Sequence, residues 1–340
     1  MADQRCGGVC ALSDAPVWAT LMQNPIQWYP GHMHKAQKEV REQLPEIDLI
    51  IEVLDARIPY SSQNPILAQF YGDRPVIKLF NKSDLADPAL TRLWQTHYQS
   101  QTSIGTLSVN SRKTHVRARL LEQIEALLPL PEDTVKKRRL LILGIPNVGK
   151  STLINTLSER KIAKTGNEPA VTKLIQRIKL DERNTLFDSP GMLWPNIENA
   201  HSGYRLAITG GIKETAFELP DIATYACEYL LEHYPERLKD RFNLSTLPQN
   251  SPYPDLEMLE LIGRQRGCLV SGGQVDLDKA SRILISELRE GTLGPITWET
   301  PQMMAKELVE VERAREEKAE KKAARLAARE ARKRQTKKNR

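Results

Sequence analysis

Apolar positions recur along this chain with two different periods. Across 32–45, HMHKAQKEVREQLP, they fall at Met33, Ala36, Val40 and Leu44, three or four residues apart, which predicts a helix closed by a proline. Short apolar runs bounded by turn residues follow: IDLIIEVLDA (47–56), RPVIKLFN (74–81), TLSVN (106–110), RRLLILG (138–144), KLIQRIKL (173–180) and NTLFD (184–188). Helical spacing separates most of them, around 89–98, 116–128 and 150–159. Strands alternating with helices predict an α/β fold, a mostly parallel sheet with helices on both faces. Beyond about residue 205 the pattern changes. Stretches 218–234, 254–263 and 277–289 read as helices and no buried-strand run accompanies them, so a smaller all-helical domain is expected there.

Charge changes the picture only at the far end. The 340 residues carry +6, with 40% hydrophobic and 27% charged residues and a mean hydropathy of −0.47. Residues 311–340 hold 13 Lys/Arg against 5 Glu, a local +8, which leaves −2 on everything before them. A near-neutral body with a basic tail, helical or disordered, is the expectation. No apolar run approaches the roughly 18–20 residues a membrane span requires. The first 21 residues lack the basic-then-apolar layout of a secretory signal, and a start at Met22 is as open as one at Met1. A cytoplasmic chain is expected, with no membrane partner. Cys6, Cys10, Cys227 and Cys268 form no zinc-type pair of pairs and read as free thiols.

The chemistry begins with GIPNVGKST at 144–152. It follows an apolar run and opens a helix, the context in which a phosphate-binding loop works. Glycines such as Gly149 let the backbone N–H groups of 147–152 (Asn147, Val148, Gly149, Lys150, Ser151, Thr152) converge on phosphate oxygens, helped by the helix dipole. Lys150 would reach the β- and γ-phosphates, and the Ser151 hydroxyl would ligate Mg²⁺. DSPG at 188–191 ends another apolar run, 38 residues beyond Lys150. Asp188 there suits a water-mediated Mg²⁺ contact, and the Gly191 amide suits a γ-phosphate. Thr172, between the two, is a candidate third Mg²⁺ ligand that closes only with GTP present. NKSD at 81–84 follows the run VIKLF. The Asp84 carboxylate can accept two N–H bonds from guanine that adenine cannot offer, the Lys82 stem can cover the base, and Asn81 and Ser83 complete the motif. Asn110 and Ser111, after the next strand, could supply a backbone amide to guanine O6.

The order of these signals is unusual, because the guanine motif precedes the phosphate loop. A nucleotide pocket needs its loops around one ligand and is indifferent to their order along the chain, so a circular permutation accounts for it. The order, together with WYPGHMHKA (28–36), VLDARIP (53–59), GIPNVGKSTLIN, DSPGMLWP and SELREGTLGPITWETP (286–301), resembles the YlqF/RbgA family of circularly permuted GTPases. The likeness runs from about Trp28 to Pro301 and leaves the first 21 residues and the tail uncovered. The expected divisions are therefore 1–21 as an unstructured extension, 22–205 as the permuted P-loop GTPase domain, 206–302 as the helical domain and 303–340 as the basic tail.

The resemblance implies a GTP-binding hydrolase in late assembly of the large ribosomal subunit, stimulated by the particle and binding its rRNA; a monomer is expected. Family members lack the water-orienting glutamine after the DxxG glycine, and here Met192 follows Gly191. The family is thought to use a histidine of the GHM segment instead, which is His32, with His34 as a rival. Asn147 is of the type associated with a K⁺ ligand in this wider class, beside a plain loop hydrogen bond. The family's switch segment commonly reads PGVT, whereas this chain has Ala170 at the glycine. The tail would add salt-dependent affinity for rRNA phosphates. A scaffold that binds RNA and keeps GTP as a structural ligand is the alternative from another class. A small-subunit factor fits less well, for want of an extra RNA-binding barrel or zinc module.

Overall fold

The computed structural model describes residue 26 and residues 28–113, 115–160 and 176–338. Side chains are described throughout these except at His32 and beyond 329. The expected extension over 1–21, Cys6, Cys10 and Thr172 thus lie outside the described residues.

A six-stranded sheet forms the centre, in the order β3-β2-β1-β4-β6-β5. Its strands are β1 (Leu49–Asp55), β2 (Val76–Asn81), β3 (Ile104–Ser108), β4 (Arg138–Leu143), β5 (Gln176–Lys179) and β6 (Asn184–Asp188). Five run parallel; β5 alone is antiparallel, at the edge beside β6. Every residue of β1, β2 and β6 is buried, as expected of strands covered on both faces.

Alternation along β1 divides the core. Leu49, Ile51 and Val53 face α4 (Val116–Leu127) and α5 (Lys150–Ser158), with Leu120, Ile124, Leu153 and Leu157 packed among them. Ile50 shares the other face with Ala36 and Val40 of α1 (His32–Gln43) and with Leu67 of α2 (Pro65–Ala68). Leu54 meets Phe80 and the Trp94 and Tyr98 rings of α3 (Pro88–Gln99). The Asp87 side chain caps α3 by accepting from the N–H groups of Ala89 and Leu90, with Pro88 at the first helical position.

The parallel strands all end on one edge of the sheet. From β1 the chain goes outward to β2 and β3, then returns to place β4 on the opposite side of β1. Strand order thus reverses between β1 and β4, and ligands of such sheets bind outside the strand ends at that crevice.

The remaining helices are α6 (Ala200–Thr209), α7 (Leu219–His233), α8 (Pro235–Phe242), α9 (Pro254–Gln265), α10 (Leu277–Glu290) and α11 (Pro301–Lys338). Helix α6 runs unbroken across the expected division at 205–206. Helix α7 sits among α6, α9 and α10, where Ile222, Leu230, Met258, Ile262, Leu284 and the thiol of Cys227 are buried.

The segment before α11 straps this helical region to the strand-end loops. Ile296 N–H donates to Leu85 O at 2.9 Å and Trp298 N–H to Arg57 O at 2.8 Å. Glu299, wholly buried, accepts from Ser61 N–H at 2.9 Å, from Ser61 Oγ at 2.5 Å and from Tyr60 N–H. Arg205 lies 3.6 Å from Glu299 and forks onto Glu307 at 2.9 and 2.5 Å, so α6 and the root of α11 share one buried ionic network. Arg315 of α11 still meets Glu198, its Nε donating to the carboxylate at 2.8 Å. Every side chain from 312 to 329 is exposed, on a single helix of 38 residues, about 57 Å at 1.5 Å per residue.

Candidate nucleotide site

The phosphate loop turns out of β4 through backbone shapes that need its glycines. Gly149 has φ +90°, and a Cβ there would stand 2.3 Å from Asn81 Nδ2. The close approach is functional in geometry: Asn81 Nδ2 donates to Val148 O at 2.7 Å, while Asn81 Oδ1 accepts from Ser111 N–H at 3.1 Å. One buried side chain at the end of β2 therefore joins the loops after β3 and β4. Thr156 of α5 adds a second tie, its hydroxyl donating to Ser111 O at 2.5 Å.

These contacts change the reading of the VNS segment. The Ser111 amide, a candidate donor to guanine O6, is already committed to Asn81. The next amide, of Arg112, donates to Asn110 Oδ1 at 3.0 Å. Asn110 and Ser111 shape the loop that borders the site. Asp84 is exposed at its rim, Ser83 N–H donates to Val109 O at 3.1 Å, and Lys82 adopts φ +57°.

Lys82 is held from below by a pair that the sequence did not mark. Strand register sets Asp55 beside Asn81, so Lys82 Nζ reaches Asp55 Oδ2 at 2.9 Å. Arg57 forks onto the same carboxylate at 2.9 and 2.8 Å. Burial alone would raise the Asp55 pKa; Arg57 and Lys82 outweigh it and hold the carboxyl well below the usual carboxylate range. The only available signal was a pair of charged residues directly after an apolar strand, in VLDARIP.

At the phosphate end, Lys150 is buried, with Nζ donating to Gly144 O and Ile145 O at 3.1 Å each. Register against Ile142 puts Asp188 on the neighbouring strand end. Burial brings Lys150 down to about 8, against the pull of Asp188, and pushes Asp188 up to about 6, against the pull of Lys150. Both Asp188 oxygens are buried without a hydrogen-bond partner. Among the described residues no group of three His, Cys, Asp or Glu gathers to cage a metal. An orphaned carboxylate that interacts with the phosphate-loop lysine fits Mg²⁺, which is commonly held by one or two protein oxygens with phosphate oxygens and water.

Gly191 closes the gap above Lys150: a Cβ on it would lie 3.0 Å from Pro146 Cα and 3.3 Å from Lys150 Nζ. Met192 is fully buried and its N–H donates to Gly144 O at 3.2 Å. Leu193 N–H donates to Met33 Sδ at 3.4 Å, which seats the start of α1 against the DSPG segment. His32 is the first residue of that helix, and its side chain lies outside those described. His34 is exposed and set edge-on to Tyr29. Asn147 turns toward α6, its Nδ2 donating to Gly210 O at 2.8 Å.

A family model described as 50S ribosome-binding GTPase matches residues 139–219. Ribosome biogenesis GTPase A of Bacillus pumilus (strain SAFR-032) is 43% identical over 284 residues, 82% of this chain and 99% of the relative. The chain belongs to the ribosome biogenesis GTPase A family. The Thermotoga maritima member is 28% identical over 277 residues, 82% of this chain and 95% of its own. A solved structure described as GNP-bound YlqF from T. maritima superposes with a TM-score of 0.54 at 25% identity, covering 79% of this chain and 99% of that one. As a member of the ribosome biogenesis GTPase A family, the chain is a GTP hydrolase built on a permuted P-loop fold. No helix among its described residues is long and apolar enough to cross a membrane.

The raised pKa of Asp188 has a stability consequence. Its folded value lies above the ordinary 3.8, so the ionised carboxylate weakens the ligand-free fold at neutral pH, and the penalty disappears as pH falls from about 6 to below 4. Asp188→Asn is expected to raise the ligand-free melting temperature at pH 7.5, with the gain shrinking toward pH 4, and to remove Mg²⁺-dependent tightening of GTP binding. Melting curves across that range check it; a variant less stable than wild type at pH 7.5 contradicts the assignment.

Proposed function

We propose that this protein hydrolyses GTP while docked on a precursor of the large ribosomal subunit, that contact with the particle stimulates the reaction, and that rRNA is part of the docking surface. The observation that carries the reading is the gathering of Asn81, Ser111, the phosphate loop and DSPG at one sheet edge, in a chain whose relatives are named for ribosome biogenesis.

In this reading Asp84 selects guanine and Lys82, braced by Asp55, covers the base. The loop amides of 147–152 and Lys150 receive the phosphates, so a γ-phosphate would replace the two carbonyls that Lys150 now contacts. Ser151, Thr172 and, through water, Asp188 would hold Mg²⁺, which would supply positive charge against the phosphates. The Asn147 amide oxygen would be the K⁺ ligand, and the Gly191 amide would meet the γ-phosphate.

Met192 cannot orient water: its side chain is apolar and fully buried. The water is assigned to His32, because its neighbour Met33 docks on Leu193, two residues past Gly191. A neutral imidazole there can accept from the attacking water. Residues beyond 317 carry the excess positive charge, and the side chains from 318 to 329 are exposed on α11, open to phosphates.

Hydrolysis in KCl and in NaCl, with and without purified large subunits, tests the assignment. Subunits and KCl should accelerate the wild type, and His32→Ala should lose roughly 10²-fold or more of the stimulated rate while still binding GTP. Stimulation that survives His32→Ala assigns the water to another group. Absence of stimulation favours the scaffold in which GTP is a structural ligand. Ending the chain at residue 317 should flatten the dependence of log affinity for the particle on log [KCl]; an unchanged slope takes the tail out of the interface.

A further inference from the structure

We propose that Asn64 is a positioning residue for the GTP-dependent switch: it fixes the backbone after Gly191 against the phosphate loop, so that the chain distinguishes GTP from GDP. The proposal deepens the GTPase reading and rests on it.

Asn64 is wholly buried in the loop between β1 and α2, and nothing in its sequence context marks it as part of a nucleotide site. Its two polar atoms face in different directions. Oδ1 accepts from Ile66 N–H at 2.9 Å and caps α2, an ordinary local role. Nδ2 donates to Met192 O at 2.8 Å, across 128 residues of chain. That carbonyl belongs to the residue directly after Gly191.

The stretch from Gly191 to Leu193 is held from three directions. Met192 N–H is bound to Gly144 O of the phosphate loop, Leu193 N–H to Met33 of α1, and Met192 O to Asn64. The first contact is backbone to backbone, and the second belongs to the helix that carries His32. Asn64 is the tether that comes from outside both the phosphate loop and the GHM helix. Gly191 lies so close to the phosphate loop that a Cβ on it would crowd Pro146 and Lys150, so a small displacement of Met192 moves the Gly191 amide relative to that loop.

The loop bearing Asn64 is stiff enough for the task. Ser62 accepts from Asp55 N–H at 3.0 Å and donates to Ile58 O at 2.7 Å. Ser61 is bound through its N–H and hydroxyl to the buried Glu299. The tether therefore runs from the end of β1, already fixed beside Lys82 by Asp55, to the γ-phosphate side of the site. A donor lost from such a buried pair leaves the Met192 carbonyl unpaired, which is enough to shift a local equilibrium about tenfold.

Two substitutions separate the cap from the tether. Asn64→Ser keeps a capping oxygen on a side chain one atom shorter, with no amide to reach Met192 O. Asn64→Ala removes both. The measurements are the Kd for GDP, the Kd for a non-hydrolysable GTP analogue with Mg²⁺, and kcat at saturating GTP. In Asn64→Ser the GDP Kd should stay within about twofold, the analogue Kd should rise about tenfold and kcat should fall, with Asn64→Ala showing the same nucleotide bias. Analogue binding as tight as wild type, or equal losses for GDP and analogue, overturns the positioning role and leaves the GTPase reading standing. A wild-type chain that binds neither nucleotide overturns that reading and the proposal with it.

Discussion

The nucleotide site depends on two hydrogen bonds from one buried amide. Asn81 donates to Val148 O and accepts from Ser111 N–H, and so joins three strand ends that are far apart in the chain. The tie demands a glycine at 149, because any Cβ would collide with the Asn81 side chain and the backbone there is left-handed. Loss of Asn81 would leave two buried backbone groups unpaired, each costing about 1–3 kcal/mol, and would release the guanine motif from the phosphate loop. A permuted order is tolerable for this reason. The loops are registered to one another by side-chain contacts at the sheet edge, and their order along the chain does not enter.

Two further sets of contacts extend that registration. Asp55, paired with Asn81 by strand register, gathers Arg57 and Lys82 and braces the NKSD loop. The strap from Ile296 to Glu299 then fastens the helical region to Leu85, Arg57 and Ser61, all on strand-end loops. Glu299 is buried, which raises its pKa, and Arg205 works against that rise while also binding Glu307. Buried ion pairs of this kind are weak evidence for stability but break expensively when one partner is removed. Their effect here is geometric: α6, the strap, the root of α11 and the Asn64 loop meet at one point.

Much of this fold could be read in the sequence because local pattern carried it. Six apolar runs became six strands, and the loops singled out by glycine and charge, GIPNVGKST, NKSD and DSPG, all follow the ends of parallel strands. The order of those loops gave the permutation. What escaped was long-range. Asn64 meets Met192 across 128 residues and Arg205 meets Glu307 across 102, and neither partner has a local signature. Asp55 and Arg57 lay within a motif used only for resemblance. The Ser111 amide bonds to Asn81, a tie within the loop expected to offer an amide to the base, and one that only the assembled loops reveal. Short α2 and α8 were missed because four and eight residues hold too few turns for a period to register.

The central claim is that NKSD, ahead of the phosphate loop in the chain, reads the base of the nucleotide whose phosphates that loop holds. The most direct test is base preference in Asp84→Asn. Replacing the carboxylate by an amide exchanges an acceptor for a donor, which guanine cannot satisfy and xanthine can. Nucleotide competition should show the variant losing GTP affinity by two orders of magnitude or more and gaining xanthosine triphosphate, with hydrolysis of the new nucleotide retained. An Asp84→Asn variant that binds and turns over GTP as the wild type does would mean that the two loops do not serve one ligand.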